Sequence, residues 1–361
     1  MKIGIVGMPN AGKSSLFNAL TRAGAQAANY PFTTVEPNVA VVAVPDERLD
    51  RVAQTIGATP VVHEAIQFHD IAGLVRGAHQ GEGLGNKFLA NIRETDAILH
   101  VVRVHDDPQV VHPEGRVDPL ADAETIETEL LFADLEQAER RLERVAKQAK
   151  SLDKLAVAEE RWLREVVEAL REGRAVRTVP EPDGAPGAAI RLAALTSKPV
   201  LYVANVAEGE PLEPPPALVA HAEERGARAT ALSARLDSEL SELEDDEAEA
   251  MRAELGVSES GLETVIREAS SLLDLIHFFT AGQAKEGRAW AIPRGTRART
   301  AAGSIHTDME RGFVAAEVTP WDALVDAGGY TQARERALSR VEGRDYVMQD
   351  GDVVTFRFTP S

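Results

Sequence analysis

The chain has 361 residues, a formal net charge of -19 at pH 7 and no cysteine. Its length favours two or three domains over one. The lack of cysteine excludes disulfides, thiolate metal ligands and thiol catalysis, and favours the reducing cytoplasm. No apolar run reaches the length of a membrane-spanning helix, so we expect no membrane partner. The negative charge restricts any contact with nucleic acid to local basic patches.

Short apolar runs alternate with helical segments along most of the chain. The first run, at residues 2–6, is followed by a glycine-rich turn and by a segment with apolar residues at helical spacing. The later runs lie at residues 39–44, 65–68, 98–102, 200–204 and 229–232. This alternation predicts an α/β fold with a doubly wound parallel sheet.

A long helical interruption separates the fourth run from the fifth. Apolar residues recur at spacings of four and three over residues 131–152, and a second helical stretch follows at 155–170. The two stretches predict an antiparallel coiled-coil arm, inserted at residues 122–195. From residue 276 the sequence changes to short β-like runs, which predict a separate domain at 276–361 after a first domain at 1–275.

Residues 7–14 match the phosphate-binding pattern G-x-x-x-x-G-K-[ST], and they lie between a predicted strand and a predicted helix, as that motif requires. Gly7 and Gly12 let the backbone curl so that its N–H groups face phosphate oxygens. Lys13 should bridge the β- and γ-phosphates of a nucleoside triphosphate, and Ser14 offers a hydroxyl to Mg²⁺. The predicted phosphate-binding residues are Asn10, Ala11, Gly12, Lys13, Ser14 and Ser15.

A second motif, Asp70-Ile71-Ala72-Gly73, follows the run at 65–68. Asp70 then lies at the carboxyl end of a strand, where it can hold Mg²⁺ through a water, and Gly73 can donate its N–H to the γ-phosphate. Thr34, in a loop before the second strand, could complete the metal shell. The predicted metal ligands are therefore Ser14, Thr34 and Asp70.

The segment after the fifth run should read the base. It is Asn205-Val206-Ala207-Glu208, where a guanine-specific enzyme carries Asn-Lys-x-Asp. Because Glu208 is one methylene longer than aspartate, it spoils the bidentate geometry that guanine requires, and Val206 replaces the lysine. We therefore expect weak guanine selectivity. Ser233 and Ala234, after the sixth run, supply a turn near the base.

The group that orients the attacking water is not obvious. Ras-like enzymes use a glutamine directly after the D-x-x-G motif, but this position is Leu74. His79, in the glycine-rich segment 73–85, could swing toward the γ-phosphate, although an exposed loop histidine is the alternative. Asn10 could instead help to bind K⁺, which would supply the charge of an arginine finger. The residues predicted to act in hydrolysis are Lys13, Asp70, Gly73 and His79.

These motifs together resemble one family closely, the YchF branch of the Obg-related P-loop proteins. The resemblance extends along nearly the whole chain. It rests on residues 7–15, 31–37, 70–88, 205–208, 304–308, 345–346 and 350–352. One departure is His69, where the family usually has an apolar strand residue, and we interpret it as a tolerated strand-end side chain.

The resemblance implies an ATPase that depends on Mg²⁺ and binds the ribosome through its large subunit. It implies a coiled-coil arm within the nucleotide-binding domain and a C-terminal TGS domain of the β-grasp type. It also implies that adenine is contacted by Asn205, Val206 and Glu208 and by the loop at Ser233 and Ala234. A GTP-hydrolysing translation factor and a non-catalytic RNA-binding or ribosome-binding scaffold remain the two alternatives.

Basic residues on the predicted arm suggest a contact with RNA. Arg140, Arg144 and Lys147 fall on one helical face, with Arg141 nearby, although a solvated coiled-coil face explains them equally well. The C-terminal domain has a second local excess of arginine. We favour a monomer.

The role of His79 can be tested by the substitution His79→Ala. If the imidazole orients the attacking water, turnover under saturating ATP falls while ATP affinity stays intact. Steady-state phosphate release together with ATP titration measures both quantities. Unchanged turnover would assign His79 to an exposed loop, and equal rates in K⁺ and Na⁺ would remove the K⁺ hypothesis for Asn10.

Overall fold

The structure is a computed structural model that describes residues 1–26, 38–71, 84–107, 110–150, 153–243, 245–255 and 260–359. These residues form two compact units. The first unit contains residues 1–26, 38–41 and 67–272, and the second contains residues 42–66 and 273–359. Each unit is built around its own six-stranded sheet.

Strands and helices follow the alternation that the sequence predicts. The strands are β1 (Lys2–Val6), β2 (Val39–Val44), β3 (Val61–Val62), β4 (Glu64–Asp70), β5 (Ala97–Arg103), β6 (Val200–Asn205), β7 (Arg228–Leu232), β8 (Leu275–Gly282), β9 (Lys285–Pro293), β10 (Phe313–Pro320), β11 (Arg340–Glu342) and β12 (Asp352–Phe358). The helices are α1 (Lys13–Gln26), α2 (Glu47–Ile56), α3 (Leu84–Arg93), α4 (Pro119–Ala149), α5 (Lys154–Arg171), α6 (Ala188–Leu192), α7 (Pro216–Glu224), α8 (Ala234–Leu240), α9 (Asp245–Glu254), α10 (Gly261–Ser270), α11 (Ala298–Ile305), α12 (Thr307–Arg311), α13 (Trp321–Ala327) and α14 (Tyr330–Glu335).

A six-stranded sheet in the order β2-β4-β1-β5-β6-β7 forms the core of the first unit. Strand β1 is parallel to β4 and β5, and β5, β6 and β7 continue the parallel pairing. Every residue of β5 is buried, because a parallel strand of this kind is covered on both faces. The sheet matches the predicted α/β architecture, and its carboxyl edge carries the segments after β1, β5, β6 and β7.

Helices α4 and α5 form the predicted helical pair between β5 and β6. Asp118 begins α4 by accepting a hydrogen bond from the Ala121 N–H, and Pro119 occupies the first turn, where its missing N–H costs nothing. Trp162, Leu163 and Val166 of α5 are buried in the core of the pair. No helix in the described ranges is long and apolar enough to cross a membrane.

The second unit is built on a six-stranded sheet in the order β11-β10-β12-β8-β9-β3. Strand β3 pairs in parallel with β9, and helix α2 packs in the same hydrophobic cluster as Phe279 of β8. Arg48 of α2 donates a hydrogen bond of 2.8 Å to Asp350. Residues 42–66 thus group with the C-terminal residues, although the sequence places them in the domain predicted at 1–275.

Candidate nucleotide-binding site

The turn between β1 and α1 contains residues with positive φ angles, which most side chains rarely adopt. Gly7 has φ +155° and Gly12 has φ +100°, and Asn10 between them has φ +62°. A Cβ at Gly7 would lie 2.4 Å from the Val101 carbonyl oxygen, so only glycine fits. Helix α1 begins at Lys13, and its first-turn N–H groups are available to an anion.

Lys13 is 7% exposed, and its amine donates a 2.8 Å hydrogen bond to the Met8 carbonyl. Burial lowers the pKa of Lys13 to about 8, and the charge of Asp70 acts in the opposite direction. Burial likewise raises the pKa of Asp70, while Lys13 lowers it. The two predicted charges at the phosphate end are therefore both desolvated and close enough to influence each other.

Asn205, the last residue of β6, connects three segments of the site. Its side-chain amide donates to the Ala11 carbonyl at 3.0 Å and accepts from the Ala234 N–H at 3.0 Å. The packing is tight, because a Cβ at Gly12 would lie 2.2 Å from the Asn205 amide nitrogen. One side chain thus fixes the distance between the P-loop, the segment after β6 and the start of α8.

These segments enclose a cleft of about 740 Å³ in the first unit. Among the predicted residues, its lining includes Asn10, Gly12, Lys13, Ser14, Ser15, Asn205, Val206, Glu208, Ser233 and Ala234. Ala11 is buried behind the cleft and joined to it through Asn205. Asp70 ends β4 and lies outside this lining. Thr34, Gly73 and His79 lie outside the described residues.

Sequence reasoning missed the segment after β5. Its residues Arg103, His105, Asp106, Asp107 and Val110 line the cleft, as do Ala207 and Arg235. Arg103 is 2% exposed, and its guanidinium donates to the carbonyls of His105 and Val110 at 2.9 and 3.0 Å. The signal was an arginine at the carboxyl end of a mostly apolar strand, because ligands bind at the carboxyl ends of parallel strands.

The same segment is tied to both halves of the site. The His105 Nδ1 lies 2.9 Å from the Asn205 carbonyl oxygen, and the Asn10 amide donates to the Val111 carbonyl at 2.9 Å. Arg103 therefore shapes one wall of the cleft through backbone carbonyls, and that wall contacts both the P-loop and the segment after β6.

The residues expected to read the base differ in exposure. Val206 is buried, whereas the Glu208 side chain is 39% exposed and lies 3.9 Å from the Arg235 guanidinium. His69, the departure from the family pattern, pairs in register with Gly4 of β1. No group of three or more potential metal ligands occurs among the residues that the structure describes.

A glycine-shaped phosphate turn at the edge of a parallel α/β sheet defines a P-loop nucleotide-binding protein. Two family models match this chain. The model described as 50S ribosome-binding GTPase covers residues 2–148, and the YchF-GTPase_C model, described as a protein of unknown function, covers residues 275–359.

Curated relatives match the chain almost from end to end. The protein named Ribosome-binding ATPase YchF of Bacillus subtilis is 46% identical, with 98% of both chains covered. The protein of the same name from Haemophilus ducreyi is 48% identical, with 99% of both chains covered. The chain therefore belongs to the YchF family.

Solved structures agree in fold. The structure of the Schizosaccharomyces pombe YchF GTPase is 34% identical, with a TM-score of 0.86, and the match covers 99% of this chain and 97% of that chain. A GTP binding protein from Pyrococcus horikoshii is 23% identical, with a TM-score of 0.65, and is similar in fold alone; 99% of this chain and 100% of that chain are covered. The predicted fold class is confirmed.

The role of Asn205 predicts a specific loss of nucleotide affinity. The substitution Asn205→Ala leaves the Ala11 carbonyl and the Ala234 N–H without their partner, which costs about 2 kcal/mol, or roughly thirtyfold in the ATP dissociation constant. Calorimetric titration measures the change. Asn91→Ala, on the exposed surface of α3, is the matched control.

A second variant separates the two hydrogen bonds of Asn205. Asn205→Asp keeps the acceptor for the Ala234 N–H, but it cannot donate to the Ala11 carbonyl and adds a negative charge beside it, so it should weaken ATP binding at least as much as Asn205→Ala. An affinity for Asn205→Ala within about twofold of the parent would mean that the cleft keeps its shape without the amide.

The lowered pKa of Lys13 predicts that nucleotide binding takes up a proton at alkaline pH. Only the ammonium form pairs with phosphate, so binding must protonate the lysine above about pH 8. Affinity then falls by up to about tenfold per pH unit. Titration in two buffers of different ionisation enthalpy should show proton uptake at about pH 9 that is nearly absent at about pH 7.

Lys13→Gln is the control for this titration, because it has no group to protonate. Equal proton uptake in the parent and in Lys13→Gln would assign the effect to another group.

Proposed function

We propose that this chain is a Mg²⁺-dependent ATPase that acts as a nucleotide-controlled switch on the ribosome. The observation that carries the proposal is the single cleft that joins Lys13 and Ser14 of the phosphate turn to Asn205 and Glu208 after β6. Relatives that are 46% and 48% identical over nearly their whole length bear the name Ribosome-binding ATPase YchF, which supports it.

The surroundings of Glu208 favour adenine over guanine. Guanine recognition needs a carboxylate that accepts two hydrogen bonds in one plane from the base. Glu208 has a longer side chain than aspartate and lies within 3.9 Å of Arg235, which competes for the same oxygens. Val206 is buried and apolar, so it offers the base no polar group.

The donor set at the phosphate end fits Mg²⁺. Ser14 is exposed at the start of α1, and Asp70 ends the strand next to β1. A hydroxyl and a carboxylate are the hard oxygen ligands that Mg²⁺ prefers, and Thr34 is the proposed third ligand. When bound, the ion would neutralise negative charge on the phosphate oxygens.

Hydrolysis in this scheme depends on Lys13, Gly73 and His79. Lys13 positions the β- and γ-phosphates, Gly73 donates its N–H to the γ-phosphate and His79 orients water. A contribution from K⁺ is also supported by Asn10, because its amide N–H₂ donates to the Val111 carbonyl and leaves the side-chain oxygen to bind a cation. The rate is slow, because Leu74 cannot orient water.

We assign ribosome contact to the coiled-coil arm and to the C-terminal TGS domain. On the arm, the Arg140 side chain is 63% exposed beside Glu136, whereas Arg141 is bonded to the buried Glu159 at 2.7 Å and belongs to the arm's own packing. In the C-terminal domain, Arg334 and Arg357 are both bound to Glu317, which reduces the local excess of positive charge.

The competing function is a GTPase. It is supported by the description 50S ribosome-binding GTPase for the family model at residues 2–148 and by the name YchF GTPase that the Schizosaccharomyces pombe protein bears. The contact between Glu208 and Arg235 is the observation that disfavours it.

Titration of nucleotide-free protein with ATP and with GTP, in Mg²⁺ and K⁺, tests the proposed function. We expect ATP to bind at least about tenfold more tightly, because Glu208 cannot make the bidentate contact with guanine. We also expect ribosomes to increase phosphate release from ATP above the Lys13→Ala background.

The opposite results would favour the two competing functions, a GTPase and a non-catalytic scaffold. Clear preference for GTP would make Glu208 a guanine-binding residue and the chain a GTPase. Phosphate release at the Lys13→Ala level, even with ribosomes present, would leave a nucleotide-stabilised scaffold.

A further inference from the structure

A second cavity, of about 300 Å³, lies in the first unit between the sheet and the root of the helical arm. One side is formed by Ile98 and His100 of β5 and by Val200 and Tyr202 of β6, which lie on one face of the sheet. Helix α4 and the segment 173–178 form the other sides. None of its lining residues lines the nucleotide cleft.

The most deeply buried histidine of this cavity is His100, which is 3% exposed. Its ring lies 5.3 Å from that of Tyr202, and both side chains line the cavity. Burial lowers the pKa of His100 to about 4, so the imidazole is neutral and offers one donor and one acceptor. A neutral imidazole in the wall of a cavity can make a hydrogen bond to a ligand.

Arg177 supplies a positive charge at the same cavity. Its guanidinium is half-buried and donates to the carbonyls of Arg225 and Thr196 at 3.3 and 3.1 Å. No carboxylate of the described residues lies within salt-bridge distance of it, although burial lowers its pKa. A desolvated guanidinium beside an open cavity favours an anion.

Two carboxylates, Glu127 and Glu224, also line the cavity, and Glu127 already has hydrogen-bond partners. Glu127 accepts hydrogen bonds from the Tyr202 hydroxyl at 2.5 Å and from the Arg225 guanidinium at 2.8 Å. The Nε2 of His221 lies 2.7 Å from the same oxygen as Tyr202. These contacts give both oxygens of Glu127 a partner, and its charge acts on Arg177 without a direct salt bridge, opposing the lowering of the Arg177 pKa by burial.

The rest of the lining is mixed. Its aliphatic part is formed by Ile98, Leu130, Leu131, Leu195 and Val200, and its polar part includes Arg174, Thr178, Thr196 and Glu224. The volume is at the lower end of the range of about 300 to 1,000 Å³ for small-molecule sites. A bare inorganic anion would leave this apolar surface uncovered.

We propose that this cavity is a second ligand site, which binds a small organic carboxylate. The carboxylate pairs with Arg177, the apolar body covers the aliphatic wall, and His100 makes a hydrogen bond to the ligand. The site shares no lining residue with the nucleotide cleft.

The proposal is tested on the full chain by nitrogen-15 NMR of labelled histidines during titration with benzoate or isovalerate. We expect the His100 resonances to shift at millimolar or lower ligand, while those of His306, an exposed residue of the second unit, stay fixed. Benzamide, which has the same body without the charge, and inorganic phosphate should each bind at least about tenfold more weakly.

Two arginine variants locate the charge. Arg177→Gln should weaken benzoate binding by about tenfold or more, whereas Arg161→Gln, on the exposed face of α5, should leave it unchanged. If Arg177→Gln does not fold, the affinities of the parent protein for benzoate and for benzamide still show whether the cavity recognises the ligand's charge.

Three results would overturn the proposal. They are the absence of a His100 shift with either carboxylate, equal affinity for benzoate and benzamide, and binding of phosphate without binding of benzoate. Unchanged benzoate affinity in folded Arg177→Gln would do the same.

Discussion

The cleft depends on one primary amide. Asn205 is 7% exposed, and its side chain donates to the Ala11 carbonyl while accepting from the Ala234 N–H. Only a side chain that is both donor and acceptor can make these two contacts, because aspartate lacks the donor and lysine lacks the acceptor. The P-loop and the start of α8 belong to different βα units, so their separation is fixed by this residue rather than by chain continuity.

The wall after β5 depends on the same residue through its backbone. The Asn205 carbonyl accepts from the Val104 N–H at 3.2 Å and lies 2.9 Å from the His105 ring. Arg103 then holds the rest of that wall by donating to backbone carbonyls. A change at the end of β6 is therefore transmitted to both sides of the nucleotide cleft.

The sequence predicted those elements whose defining residues are close together along the chain. The P-loop could be located because its glycines and its lysine are adjacent in sequence, and the arm because heptad spacing requires only one helix at a time. The position of Arg103 at a strand end is visible in the sequence, but its contacts are not, since its partners are carbonyls of a loop without a sequence signature. The grouping of α2 with the C-terminal sheet rests on contacts such as Arg48 with Asp350, 302 residues apart, and no local pattern reveals such a pair.

Lys13 of the P-loop and the nearby Asp70 carry opposite charges and are both partly buried. Desolvation moves the pKa of Lys13 down and that of Asp70 up, so each group is displaced toward its neutral form, and each opposes the displacement of the other. The Met8 carbonyl gives the amine a hydrogen bond but no compensating charge. A triphosphate restores full charge to the lysine, because the gain from pairing with phosphate exceeds what a neutral carbonyl provides. Lys13 therefore contributes more to the bound state than to the free state, and this difference gives the site its preference for an anionic ligand.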